Sequence, residues 1–100
     1  MTREQLRVRY AELGQQERVR LLVHLLNGLT VTARETYFQG DIKDPTRLIG
    51  INEFQHRLSR MALDAIDGED FRTDAEVAEY FFVGFTDLGV IKVLEDAIKL

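Results

Sequence analysis

One hundred residues suffice for one domain, and 45% hydrophobic with 30% charged residues supplies enough apolar surface for an ordinary core. The absence of cysteine excludes a disulfide framework and a thiolate metal site. No apolar run approaches the roughly 18 residues of a membrane span, and the charged start MTREQLRVRY lacks the apolar region of a signal peptide, so a cytoplasmic, non-membrane protein is expected.

Thr2 to Leu13 reads as a first helix. Thr2 and Gln5 have the spacing of a capping box, in which each side chain satisfies a free backbone N–H at the helix start. Leu6, Tyr10 and Leu13 form its one apolar stripe, and Gly14 is expected to close it in a left-handed conformation. The most apolar stretch of the chain follows, Gln16 to Tyr37. At about 100° per residue, Val19, Leu22, Val23, Leu26, Thr30, Ala33 and Tyr37 share one side and are expected to face the core. Leu21, Leu25, Gly28, Leu29 and Thr32 share another, and only the sector of Arg20, His24, Asn27 and Arg34 is polar. A helix so widely apolar needs cover from two directions. Gly28 either breaks the helix or lets a neighbour approach closely.

Gly40 is placed at the end of this helix. Asp44-Pro45 signals the next start, because Asp caps free N–H groups and Pro has no hydrogen bond to lose in the first turn. The third helix runs to about Ile66, its buried face built from Ile51, Phe54, Leu58, Met61, Ala62 and Ala65 and edged by Leu48 and Ile66. Asp67-Gly68 ends it. Thr73 to Glu76 repeats the capping-box spacing and opens a fourth helix with Val77, Phe81, Gly84 and Phe85 on one face and Tyr80, Phe82 and Val83 elsewhere. Beyond Gly89 the apolar stripe changes phase to Val90, Ile91, Leu94, Ala97 and Ile98, which predicts a break near Phe85–Gly89. The rival is a strand hairpin of YFFVGF and GVIKVL, whose composition suits β structure.

The net charge of −4 hides an asymmetry. Residues 1–38 hold six Arg against four Glu, and residues 67–100 hold nine acidic against three basic groups. The two ends could attract each other within one bundle or between copies, or each could be a solvated face.

Candidate chemistry is sparse. Glu53 and His56 have the E-x-x-H spacing of helical-bundle metal sites, but in one copy only, and on the polar face with Arg57 and Arg60. His24 also falls on a polar face. Ser59, the only serine, has no recognisable His–acid arrangement. Asp67, Glu69, Asp70 and Asp74 lack the spacing of a calcium loop. No catalytic residue, metal site or cofactor is assigned. Arg3, Arg7, Arg18 and Arg20 could meet nucleic-acid phosphates, but no helix combines basic and base-reading residues on an exposed face.

The sequence therefore predicts an all-α fold, a compact bundle of four to five helices in one domain over residues 1–100. The expected role is a non-catalytic interaction or regulatory module, partnered by itself as a homodimer and by a further protein. Its expected interface is Leu21, Leu25, Leu29, Phe82 and Val83, the apolar surface in excess of what four helices hide. A helical nucleic-acid-binding regulator using the arginines is the second reading, and a metal-binding bundle enzyme the third.

Overall fold

The computed structural model describes residues 1–38, 45–68 and 72–99. Five helices occupy nearly all of them: α1 (Arg3–Glu12), α2 (Gln15–Phe38), α3 (Pro45–Ile66), α4 (Asp74–Asp87) and α5 (Ile91–Ile98). No strand occurs among the described residues, so the fold is all-α, and the hairpin reading of YFFVGF and GVIKVL gives way to two helices.

The helix ends follow local chemistry. At the start of α1, Thr2 Oγ1 accepts from the Gln5 N–H at 3.1 Å and Gln5 Oε1 accepts from the Thr2 N–H at 2.8 Å. Both donors would otherwise be orphaned. Gly14 does not close α1 in a left-handed turn. Positive φ among the described residues occurs only at Gly68 and Gly89. Gly14 instead opens α2: its carbonyl accepts from Arg18 N–H at 3.0 Å, and its own N–H donates to the Glu17 carboxylate at 3.4 Å. Pro45 is the first residue of α3, as its fixed φ favours. Asp44 and Gly40, the other expected signals there, lie outside the described residues.

α3 stops at Gly68, where φ is +73° and the N–H reaches back to Ala65 O at 3.3 Å. Thr73 caps α4, its hydroxyl oxygen accepting from Glu76 N–H at 3.2 Å while the hydroxyl donates to the Glu76 carboxylate at 3.0 Å. α4 and α5 are separated by Gly89, whose φ of +68° suits glycine and turns the chain back.

α1 pairs with α4, α2 pairs with α3, and α5 lies against both α4 and α2. Gln15 Nε2 donates to Ala65 O at 3.3 Å and Gln55 Nε2 to Leu26 O at 3.3 Å, which fixes α2 and α3 as antiparallel neighbours. Leu6, Leu25, Leu29, Ile51, Leu58, Phe81, Phe85 and Leu94 are wholly enclosed. Each such side chain contributes about 1.5–3 kcal/mol of transfer free energy. Tyr10 meets Phe81 edge-on at 5.8 Å, and Phe54 meets Phe85 at 4.9 Å. At two places a pair of helices comes close because a side chain is missing. A Cβ on Gly28 would lie 2.5 Å from Val93 Cγ1, and one on Gly84 would lie 2.5 Å from Phe54 Cζ. Gly28 therefore sits inside an unbroken α2 and admits α5.

This packing corrects the expected phase of α2. Leu22 is buried as expected, but Val23 is 47% and Tyr37 55% exposed, and Leu26 and Ala33 are only partly covered. The row expected to meet a second copy, Leu21, Leu25 and Leu29, is 3%, 0% and 0% exposed and belongs to the chain's own core. The reason is α5. It folds back from Gly89 onto the Gly28 side of α2 and takes the place a second chain was expected to fill. In α3, Ile51, Phe54, Leu58 and Met61 are buried as expected, whereas Ile66 is 62% exposed.

Candidate functional site

The arginines expected as phosphate contacts do not form a free patch. Arg18 is the most constrained. Its guanidinium bonds Asp74 at 2.6 and 3.1 Å, Leu13 O at 3.0 Å and Tyr10 O at 3.3 Å, and lies 4.5 Å from the Tyr10 ring centroid. It thus closes the C-terminus of α1 and ties it to the start of α4. The hydrogen bond with Asp74 raises the Arg18 pKa and lowers that of Asp74, against the opposing effect of desolvation. Arg3 pairs with Glu79 at 2.7 Å and covers the Phe82 ring at 4.8 Å. Arg7 pairs with Glu4 on its own helix, and Arg20 is exposed on α2. The charge asymmetry of the sequence is thus expressed within one chain, through Arg18–Asp74 and Arg3–Glu79.

Phe82 is half-covered beneath Arg3, and Val83 is 40% exposed. With Leu21, Leu25 and Leu29 enclosed, the five residues expected to share an interface do not form one surface. Glu53 and His56 are both exposed on the outer side of α3, with Arg57 and Arg60. Of the expected acidic cluster, Glu69 and Asp70 lie outside the described residues.

A shallow hollow between α2 and the end of α5 has an apolar floor, including Leu21, Ala97 and Ile98, and a polar side made by Glu17, Arg20 and His24. Those three side chains come from successive turns of one helix and are strung along about 10 Å.

The feature with most extent is a two-helix strip. On α2, Gln16, Val19, Val23, Leu26, Thr30, Ala33 and Tyr37 succeed one another at alternating steps of three and four residues. On α3, Leu48, Asn52, Gln55, Ser59, Ala62 and Ile66 do the same. None of these positions carries a charge, in a chain 30% of whose residues are charged. The antiparallel register lays the two rows side by side, and Gln55 stitches them by donating to Thr30 Oγ1 at 2.7 Å as well as to Leu26 O. Val23, Thr30, Tyr37, Asn52 and Ile66 are exposed, and Val19, Leu48, Gln55, Ser59 and Ala62 are half-buried. Glu53, Arg57, Arg60 and Asp64 all fall on other sides of α3, while Arg20 and Arg34 border the row on α2.

Most of the α2 row was legible as a stripe in the sequence, but as core. The α3 row was missed, because Asn52, Gln55 and Ser59 break its hydrophobicity. The signal that could have found it is the absence of charge at a 3,4 repeat on two adjacent helices.

The chain matches no protein-family model, no curated protein and no solved structure.

Proposed function

We propose that this chain is a small non-catalytic interaction module that binds another protein through the uncharged strip of α2 and α3. The observation that carries the reading is the strip itself: two parallel rows without a charge, holding half-exposed Val23, Tyr37 and Ile66. Solvated helix faces in a protein this rich in charge are ordinarily studded with Lys, Glu, Arg and Asp. A face that lacks them and holds apolar side chains is suited to being covered. Its half-buried small residues, Ser59 and Ala62, leave room for the side chains of an opposing helix.

A photo-crosslinking residue placed at Val23 or Ile66, with Glu53 as the control position on the charged side of α3, tests this in the native cell. Crosslinked protein adducts are expected from the two strip positions and not from the control. No adduct at either strip position, or equal yields at all three, would overturn the reading.

A further inference from the structure

We propose that the hollow between α2 and the end of α5 binds a small amphiphilic carboxylate, with the apolar body of the ligand on the floor and its carboxylate against Arg20 and His24. The hollow shares no residue with the strip, so the proposal stands apart from the reading of that face.

The floor is a product of tertiary folding. Leu13 follows α1, Leu21 belongs to α2, and Ala97 and Ile98 end α5. All four are buried, at 8% exposure or less. The concavity exists because α5 folds back beside α2, and no single helix could provide it. Its volume is about 340 Å³, within the roughly 300–1,000 Å³ of small-molecule sites.

The rim supplies the charge. Arg20 and His24 are four residues apart, which puts them on one face of α2 with Cβ atoms about 5–6 Å apart. Arg3, Arg7, Arg9 and Arg18 each hold a carboxylate. Arg20 holds none, and neither its side chain nor that of His24 has a hydrogen-bond or ion-pair partner among the described residues. Glu17 is the one carboxylate on the rim. Its Oε1 accepts from the Gly14 N–H at 3.4 Å, so it serves the start of α2 and leaves Arg20 unneutralised. The first turn of α2, which holds Glu17, carries the positive end of the helix dipole and adds to the potential there. On the opposite wall, Ile98 O already accepts from Arg9 Nε at 3.4 Å.

These features select the chemistry of the ligand. A guanidinium presents paired N–H groups to the two oxygens of a carboxylate, and the His24 ring adds a further donor. Glu17 nearby disfavours a head group of higher negative charge, such as a phosphate monoester. A wholly polar anion would leave the buried floor uncovered, and a neutral molecule would leave Arg20 unpaired.

Octanoate, which joins a carboxylate to a short alkyl chain, is the probe, and backbone amide NMR signals of the full chain are the readout. Millimolar octanoate is expected to shift the amides around Leu21, His24 and Ile98 saturably. Octanol, with the same chain and no charge, is expected to bind about tenfold more weakly, for want of the charge-assisted hydrogen bonds. Arg20→Gln is expected to weaken octanoate binding by about tenfold and to leave octanol binding unchanged. Arg57→Gln removes a charge from the exposed outer side of α3 and is expected to change neither. Both substitutions fall at exposed positions, so the fold is expected to persist in each. Shifts that fail to saturate, or that centre on other residues, overturn the proposal. So does octanol binding as tight as that of octanoate, which would make the hollow an apolar surface without head-group recognition. An equal loss in Arg20→Gln and Arg57→Gln overturns it as well, because the attraction would then belong to charge at large.

Discussion

Leu21, Leu25 and Leu29 on one side of α2, and Val19, Val23 and Tyr37 on another, look alike in the sequence: each is a helical row of apolar residues. The first row is enclosed, and in the second Val23 and Tyr37 stand about half-exposed. What separates them is a distant turn. Gly89, with φ of +68°, sends α5 back across the bundle, and Gly28 leaves room for Val93 where it lands. Periodicity establishes that a stretch is helical and how wide its apolar sector is. It does not establish which part of that sector the rest of the chain reaches.

The largest effect expected from this contrast is at two adjacent leucines. Leu25 is wholly enclosed, and Leu26 is only partly covered beside the strip. Leu25→Ala removes packed atoms from all sides and should cost about 2–5 kcal/mol. Leu26→Ala should cost about half as much or less, because some of its surface already meets water. Urea unfolding of both variants measures the pair. A larger loss at Leu26 would put the core on the side that the sequence pattern alone suggests.

A second way to break the comparison is to fill the space that admits α5. In a solvated helix, Gly→Ala gains about 1 kcal/mol of propensity. At Gly28 the new methyl would meet Val93 Cγ1 at 2.5 Å. Gly28→Ala should therefore destabilise by about 1–3 kcal/mol despite the better propensity. Adding Val93→Ala should return part of that loss, giving a clear non-additive cycle. A stabilising Gly28→Ala would mean that Val93 of α5 does not pack against Gly28.

These positions also mark how far the sequence could be read. The five-helix architecture was legible because its signals are local: Thr2 with Gln5, Thr73, Pro45, Gly68, and the phase change beyond Gly89 all act within one turn of the chain. The core of α3 was legible for the same reason, since Ile51, Phe54, Leu58 and Met61 form one unambiguous stripe. The phase of α2 was not, because two apolar rows competed and the contact that decides between them joins Gly28 to Val93. The strip failed to stand out because it is a property of two helices in register, and Gln55, which joins them, reads in isolation as an ordinary polar residue at an edge.

Arg18 offers a third, smaller test, of the joint between the basic and acidic ends of the chain. Its guanidinium satisfies the carbonyls of Tyr10 and Leu13 at the end of α1 and holds Asp74 at the start of α4. Arg18→Met keeps most of the stem but removes every one of those bonds, and should cost about 1–2 kcal/mol. Arg18→Lys should recover only part of it, because an ammonium cannot reproduce the planar fork that serves a carboxylate and two carbonyls together. Equal stability of the Lys variant and wild type would show that the contact with Asp74 is a simple attraction of charges.

The smallest effect concerns acid. The hydrogen bond from Arg18 holds the Asp74 carboxyl below its usual range, and desolvation opposes it. Asp74 also sits in the first turn of α4, where the free amides favour the ionised form. A carboxyl depressed in the folded state binds its proton more readily when unfolded. Its contribution is therefore complete above the ordinary Asp pKa of about 3.9, and it is lost as pH falls through the lower folded value. The Asp74 side chain is 46% exposed, so solvent screens the pair and its worth should be about 0.5 kcal/mol. Asp74→Asn keeps the shape and removes the charge. Urea midpoints for the two proteins should differ near neutral pH and converge as the pH is taken below about 3.9. Raising the salt concentration at neutral pH should shrink the difference only in part, because the guanidinium is held in place by two carbonyls whether or not ions surround it. A difference that stays constant into acid would show that the geometry of the Asp74 side chain, rather than its charge, joins α4 to the end of α1.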